Sequence, residues 1–116
     1  MPCGALLKSL VAAGVPGKAV GDERAAKRYY VSGMVQGVGY RYFAKGAAKR
    51  FEVSGYARNL RDGRVEVYAI GSVAALDAFR GELRLGPRSG RVSEITEEPA
   101  PLDSRFADQF SIEHDD

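Results

Sequence analysis

The chain has 116 residues, a formal net charge of +2 and a single cysteine, Cys3. This length fits one domain with a real hydrophobic core. One cysteine excludes an internal disulfide and a cysteine-built zinc site. No apolar run approaches the ~18–20 residues that would cross a bilayer. No basic region precedes the mildly apolar start of the chain, which argues against a secretory signal, so we expect a cytoplasmic protein.

The N-terminal region differs in character from the rest of the chain. Glycine and proline recur at Gly14, Pro16, Gly17 and Gly21, which is typical of a linker. We therefore expect residues 1–26 to form a flexible extension and residues 27–116 to form the domain. A short amphipathic helix or an over-long start of translation are alternatives for the extension.

The first half of the domain alternates between strand and helix patterns. Alternation predicts a strand over Lys27–Val35, and apolar residues at helical spacing predict a helix over Tyr42–Phe51. Gly46 costs this helix about 1 kcal/mol relative to alanine, and we expect that it lets the helix pack closely against the sheet. A second strand is predicted over Val53–Leu60. The dipeptide at residues 62–63, Asp-Gly, then favours a hairpin.

The second half repeats this order. Arg64–Ile70 is the next strand, and Ser72 is a plausible N-cap of a second helix. Strands are then predicted over Arg91–Glu97 and, briefly, at Phe110 and Ile112. The order of elements predicts an α+β ferredoxin-like plait (βαββαβ), with an antiparallel sheet of four to five strands and two helices on one face.

The loop between the first strand and the first helix predicts an anion site. Gly37 and Gly39 let the backbone turn sharply and direct successive N–H groups inward. A helix N-terminus follows, and it carries unpaired N–H donors and partial positive charge. Arg41 adds a guanidinium that can bind two oxygens of a tetrahedral anion. The alternative is that Arg41 only caps backbone carbonyls.

A second candidate side chain is Asn59, near the end of the second strand. Its amide could hold a water molecule as acceptor and donor, or it could be a turn residue that bonds its own backbone. The one histidine, His114, lies in an acidic tail, and we expect it to be solvated. The domain therefore offers neither a histidine base nor a metal-ligand cluster.

Charge is distributed unevenly along the chain. Seven basic residues and two acidic ones lie between Arg41 and Arg64, whereas eight acidic residues and one arginine lie between Glu94 and the end. This favours a small positive field around the glycine loop, although a solvated surface of mixed charge is the simpler alternative.

Two motifs at this spacing resemble the signature of the acylphosphatase family. They are VSGMVQGVGYR at residues 31–41 and GYARNLRDGRVEV at residues 55–67. Gly86-Pro87 followed by Arg91-Val92 resembles a third family element. The match covers about residues 27–113, nearly everything except the extension.

The resemblance implies hydrolysis of a carboxyl–phosphate anhydride to a carboxylate and inorganic phosphate. It implies that Arg41 is catalytic and that Asn59 positions the water. It also implies that backbone N–H groups of the loop bind phosphate, so that the phosphate-binding residues are Gln36, Gly37, Val38, Gly39, Tyr40 and Arg41. No metal or organic cofactor is implied, and the partner is a small acyl phosphate rather than a membrane or a nucleic acid. We expect a monomer.

The chain departs from the family pattern at a few positions outside the catalytic pair. Glu52 stands where a glycine often ends the first helix, which makes that C-cap less favourable. Gly90 stands where alanine is frequent.

Two other functions use the same features. The plait also serves as an RNA-binding module, in which exposed strand aromatics such as Tyr30 and Tyr68 would stack on bases. A catalytically inactive anion-binding domain would keep the glycine loop.

Overall fold

The computed structural model describes residues 23–115, which form a five-stranded sheet with two helices. Residues 1–22, most of the predicted extension, lie outside the described part, so the division into extension and domain stays a prediction. The elements are β1 (Arg24–Met34), α1 (Tyr40–Phe51), β2 (Ser54–Asn59), β3 (Val65–Ser72), α2 (Val73–Leu85), β4 (Arg91–Ala100), a 3₁₀ turn (Ser104–Phe106) and β5 (Phe110–Ile112).

The strand order is β4-β1-β3-β2-β5. The first four strands pair antiparallel, as predicted, but β5 runs parallel to β2 at one edge. The sheet is therefore mixed, and the ferredoxin-like α+β prediction is confirmed. The parallel pairing matters for function because it directs the C-terminal tail along β2 towards the end that carries Asn59.

Both helices cover one face of the sheet. Alternate residues of the strands point into a single apolar cluster with the inner faces of α1 and α2, and its largest fully buried side chains include Tyr29, Tyr40, Phe79, Leu76 and Leu83. A smaller cluster on the opposite face, built on Ala26, Tyr68 and Ile70, is packed by the 3₁₀ turn. No helix within residues 23–115 is long and apolar enough to span a bilayer.

Strand boundaries differ from the predicted ones where the sheet overrides local sequence. β1 begins at Arg24 rather than Lys27 because its first residues pair with the end of β3. β4 runs to Ala100, through the region at Pro99 that was predicted as a turn. A proline is tolerated there because β4 is an edge strand, where one side of the backbone needs no partner.

Helix α1 packs on small side chains. Its buried residues are Tyr40, Ala44, Ala47 and Ala48, at the spacing of one helix face. The expectation for Gly46 is wrong: this glycine is exposed, and a Cβ built on it would meet no atom within 4 Å. It faces open space rather than the sheet.

The end of α1 and the β2–β3 hairpin follow their predicted chemistry. Glu52 ends the helix in the left-handed conformation, with φ 58°, at the position where the family often has glycine. At the hairpin, Gly63 has φ 99° and the Asp62 carboxylate accepts a hydrogen bond from the backbone N–H of Arg64. The hairpin places Asn59, the last residue of β2, opposite Val65.

Candidate active site

The loop between β1 and α1 is shaped by two left-handed glycines. Gly37 has φ 75° and Gly39 has φ 78°, and a Cβ on either would meet no atom within 4 Å. Glycine is therefore required here by backbone conformation and not by crowding. Gly39 is the N-cap of α1 and provides no side-chain cap, so the first N–H groups of the helix are left for an anion.

Side-chain hydrogen bonds join this loop to two other segments, the β2–β3 hairpin and the turn before β4. The Gln36 amide donates hydrogen bonds to the carbonyls of Leu60 and Arg64, at 2.7 and 2.9 Å, and so joins the loop to the β2–β3 hairpin. Ser89 donates through its hydroxyl to the Val38 carbonyl at 2.9 Å. Each bond fixes a part of the loop without using any of its backbone N–H groups.

The turn before β4 packs tightly under the loop. A Cβ on Gly90 would lie 2.8 Å from the Met34 carbonyl oxygen and 2.9 Å from Cγ2 of Val38. The glycine that replaces the frequent family alanine is thus required by the close approach of this turn to the loop.

Tyr40 anchors the start of α1. Its hydroxyl donates a hydrogen bond of 2.6 Å to the Leu83 carbonyl on α2, and its ring is fully buried. Burial raises the pKa of the Tyr40 phenol well above its ordinary value. Tyr40 is thus a wall of the site and no proton donor or acceptor at neutral pH.

Arg41 lies at the mouth of the site and contacts the C-terminal tail. Its Nη1 donates to the backbone carbonyl of Glu113 at 3.2 Å and lies 3.0 Å from a carboxylate oxygen of Asp115. The Arg41 side chain is 27% exposed, and that of Asp115 is 66% exposed. The alternative that Arg41 caps backbone carbonyls is thus realised in part, through a single nitrogen. The other N–H donors of its guanidinium make no hydrogen bond to a described residue.

Asn59 closes the other side of the site. It is 8% exposed, and its amide makes no hydrogen bond to another residue of the described range. The local turn bond that was the alternative for Asn59 is absent. The hairpin turn is closed instead by backbone hydrogen bonds of Leu60 with Gly63 and Arg64 and by the Asp62 carboxylate.

A cavity of about 180 Å³ joins these parts. The predicted residues Gly37, Gly39, Tyr40, Arg41 and Asn59 line it, and two further residues, Val35 and Tyr42, complete it. The other two predicted residues, Gln36 and Val38, do not line this cavity, and any part they take in binding rests on their backbone N–H groups.

The C-terminal tail contacts the site, which was not expected from the sequence. Asp115 was grouped with the solvated acidic end, yet it forms an ion pair with Arg41. The uneven charge distribution was the available signal, but only the parallel pairing of β5 with β2 shows which carboxylate reaches which arginine.

The geometry gives the RNA-binding alternative little support. Within residues 23–115, no three His, Cys, Asp or Glu side chains cluster as a metal site would require. Tyr68, an aromatic residue that the RNA-binding alternative needs, is buried under the 3₁₀ turn, and its hydroxyl donates to the Pro101 carbonyl. Tyr68 therefore offers no open face to a base.

Comparison with known proteins agrees with the geometry. The acylphosphatase family model matches residues 27–112. An acylphosphatase from Solibacter usitatus is 53% identical over 87 residues, which cover 75% of this chain and 88% of that protein.

Solved structures show the same fold. The crystal structure of acylphosphatase from Bacillus subtilis matches with a TM-score of 0.70 and 34% identity, over 75% of this chain and 96% of that one. An acylphosphatase from Coxiella burnetii matches with a TM-score of 0.73 and 27% identity, over 78% of this chain and 93% of that one. The fold and the glycine-loop site define an α+β phosphohydrolase class. Within that class, the chain belongs to the acylphosphatase family.

Proposed function

We propose that this protein hydrolyses the carboxyl–phosphate bond of acyl phosphates, releasing a carboxylate and inorganic phosphate. The observation that carries the proposal is the cavity in which Arg41, the left-handed glycine loop and the Asn59 amide meet. Membership of the acylphosphatase family supports the same reaction.

The phosphoryl group is assigned to the glycine loop and Arg41. Backbone N–H groups of the loop and the uncapped start of α1 would donate to its oxygens, and the Arg41 guanidinium would add a full positive charge. Negative charge on these oxygens is best stabilised by donors that are already oriented before the reaction. The contacts of the loop with the hairpin and with Ser89 supply that orientation.

The attacking water is assigned to Asn59. Its amide oxygen can accept a hydrogen bond from the water, which directs the water lone pair at phosphorus. As the new P–O bond forms, the bond from phosphorus to the acyl oxygen breaks, and the carboxylate leaves with the electron pair. One water proton stays on the new hydroxyl, and the other passes to a phosphoryl oxygen of the substrate.

This mechanism needs little general acid or base catalysis. The leaving carboxylate is weakly basic, so the chief requirements are water placement and charge stabilisation on the phosphoryl oxygens. A site with an arginine, N–H donors and one amide is sufficient for both, and the proposal includes no metal or organic cofactor.

The decisive experiment measures phosphate release from benzoyl phosphate and acetyl phosphate in the presence of a chelator. We expect the wild type to release phosphate and Arg41→Ala to lose about 10²–10³-fold in kcat, the usual loss when a donor to a developing anion is removed. Lys27→Ala, near the end of β1 that lies away from the loop, is the control and should match the wild type. A wild type that releases no phosphate would support an inactive anion-binding domain instead.

We also propose an oligomeric state and a cellular location for the protein. We propose that the protein acts as a monomer on a small acyl phosphate, without a nucleic-acid partner. We propose a cytoplasmic location. Sedimentation of the purified protein together with cell fractionation tests both.

A further inference from the structure

Tyr42 lines both the catalytic cavity and a second, larger cavity. The cavity of about 180 Å³ is smaller than the roughly 300–1,000 Å³ of pockets that enclose drug-sized ligands, so a bulky acyl group would extend beyond it. Tyr42, whose side chain is 70% exposed, lines both this cavity and a second one of about 740 Å³. A third cavity, on the open face of the sheet, shares no lining residue with the catalytic cavity.

This second cavity, here named the acyl groove, lies between α1 and the segment that leads into β5. Tyr42, Gly46 and Lys49 are spaced by four and three residues and so lie along one side of the helix. Phe110 and Val53 provide apolar surface opposite them. The acyl groove therefore extends along one side of α1 from Tyr42, the residue that it shares with the catalytic cavity.

Gly46 keeps the acyl groove open. A glycine inside a helix is about 1 kcal/mol less favourable than alanine, yet here no neighbour would meet a Cβ within 4 Å. Nothing in the packing of the described residues requires it. Its absent side chain leaves space between Tyr42 and Lys49.

The floor of the acyl groove holds an unused polar group. Ser54 is buried, and its hydroxyl makes no hydrogen bond to the described residues. Buried polar atoms nearly always have a hydrogen-bond partner, so this hydroxyl is available to a water molecule or to a polar group of a ligand.

Charge distinguishes the two ends of the acyl groove. Lys45, one helical turn beyond Arg41, forms no ion pair with another described residue. The acidic lining residues, Glu52 and Asp108, lie at the far end: Glu52 ends α1, and Asp108 precedes β5 where β2 begins. Two basic residues, Lys49 and Arg24, also line the far end, so that end has mixed charge, whereas the end next to the catalytic cavity is positive.

We propose that the acyl groove binds the acyl part of the substrate, and that Lys45 selects acyl phosphates whose acyl group carries a second negative charge. Four residues of α-helix rise about 6 Å, so Lys45 suits a carboxylate about one helical turn away from the phosphoryl group at Arg41. The inference rests on the proposed hydrolysis of acyl phosphates and adds the chemical class of the acyl group.

The test compares two substrates that differ by one carboxylate, benzoyl phosphate and 4-carboxybenzoyl phosphate. We expect the ratio of their kcat/KM values, carboxylated over plain, to fall about tenfold in Lys45→Glu. An exposed ion pair is worth up to about fivefold in binding, and reversing the charge adds a repulsion to that loss. Lys45→Arg should keep the wild-type ratio, and the difference between wild type and Lys45→Glu should shrink in about 1 M salt.

Lys27→Glu is the matched control, since it makes the same change of net charge near the end of β1 that lies away from the loop. An unchanged ratio in Lys45→Glu, with benzoyl phosphate still hydrolysed, would overturn the selection by Lys45 and leave the proposed function standing. A wild type that hydrolyses neither substrate would overturn both.

A steric variant tests the acyl groove without changing charge. Gly46→Phe should fill it and lower kcat/KM for benzoyl phosphate several-fold more than for acetyl phosphate, while inhibition by inorganic phosphate stays the same. Gly81→Phe is the control because Gly81 is also an exposed helix glycine with nothing within 4 Å of an added Cβ, but on α2. Equal losses for both substrates in Gly46→Phe would contradict the acyl groove.

Discussion

Asn59 owes its place in the site to burial at the end of a strand. Its backbone pairs with Val65 in the sheet, so the side chain is held at one position while its amide lines the cavity. An amide fixed in this way can orient a water molecule at little entropic cost, because the strand has already ordered it.

We predict that Asn59→Ala lowers kcat about 100-fold, since misplacing a reacting group by about 1 Å costs that much. Binding of inorganic phosphate should stay within about twofold of the wild type, because Arg41 and the loop are untouched. Phosphate-release kinetics and phosphate titration measure the two effects. Weak phosphate binding in this variant would show instead that Asn59 holds the anion.

Asp115 is the residue that most directly opposes phosphate at Arg41. Its carboxylate lies 3.0 Å from Nη1 and reduces the positive charge offered to an anion. Because both side chains are partly exposed, this ion pair contributes only about 0.2–1 kcal/mol of free energy.

We predict that Asp115→Asn tightens the binding of inorganic phosphate by about two- to fivefold, which corresponds to that energy range. Inhibition constants measured at low salt test this. Asp77→Asn, with the same charge change on α2, should have no effect. Weaker phosphate binding in Asp115→Asn would mean that the tail carboxylate holds the guanidinium in its binding orientation.

At the scale of elements, the glycines differ in whether the backbone conformation or a close contact requires them. Those in the β1–α1 loop are needed for a left-handed backbone, and Gly90 is needed because the turn before β4 touches the loop. The exposed helix glycines Gly46 and Gly81 meet neither requirement.

We predict that Gly46→Ala and Gly81→Ala each raise the free energy of unfolding by about 0.5–1 kcal/mol, because alanine loses less backbone entropy in a helix. Denaturant titration measures the change. Gly90→Ala should destabilise the protein, since its Cβ would lie 2.8 Å from the Met34 carbonyl oxygen. A gain in stability for Gly90→Ala would contradict this account of the turn.

The open face of the sheet carries an ion-pair network that joins three strands. Glu66 on β3 is 8% exposed and lies 3.3 Å from Nε of Arg28 on β1 and 2.6 Å from Nη2 of Arg58 on β2. Arg28 also stacks over the Tyr68 ring, with 5.6 Å between the guanidinium carbon and the ring centroid. This network holds the centre of the sheet together on the side that no helix covers.

We predict that Glu66→Gln lowers the free energy of unfolding by about 1–3 kcal/mol. The loss should fall below the 3–5 kcal/mol of a fully buried pair, because both arginines are partly exposed. Thermal and denaturant unfolding measure the change. Glu94→Gln, an exposed residue of β4, is the control. A loss as small as that of Glu94→Gln would mean that the network adds little to stability.

At the scale of the whole molecule, much of the result could be predicted from the sequence. Helix and strand patterns, together with the Asp62-Gly63 turn, were enough for the α+β plait, because each is local chemistry. The acylphosphatase signature was likewise sufficient for the family, and the comparisons confirm it. The roles of Arg41 and Asn59 remain predictions that the cavity supports.

Other features depended on contacts between distant segments. Gln36 was expected to bind phosphate through its backbone N–H group, yet its side chain also forms hydrogen bonds with the β2–β3 hairpin. Gly46 was expected to pack against the sheet and faces open space instead. In both cases the sequence specifies the residue but not which element will lie opposite it.

The sequence by itself determined the order of elements, the glycine loop and the residue types available for chemistry, since these follow from backbone conformation and side-chain identity. Only the tertiary structure decided that β5 pairs parallel to β2, that Asp115 thereby reaches Arg41, and that Tyr42 lines two cavities. These arrangements depend on packing among segments up to 74 residues apart in the chain, and no local pattern encodes which of them will meet.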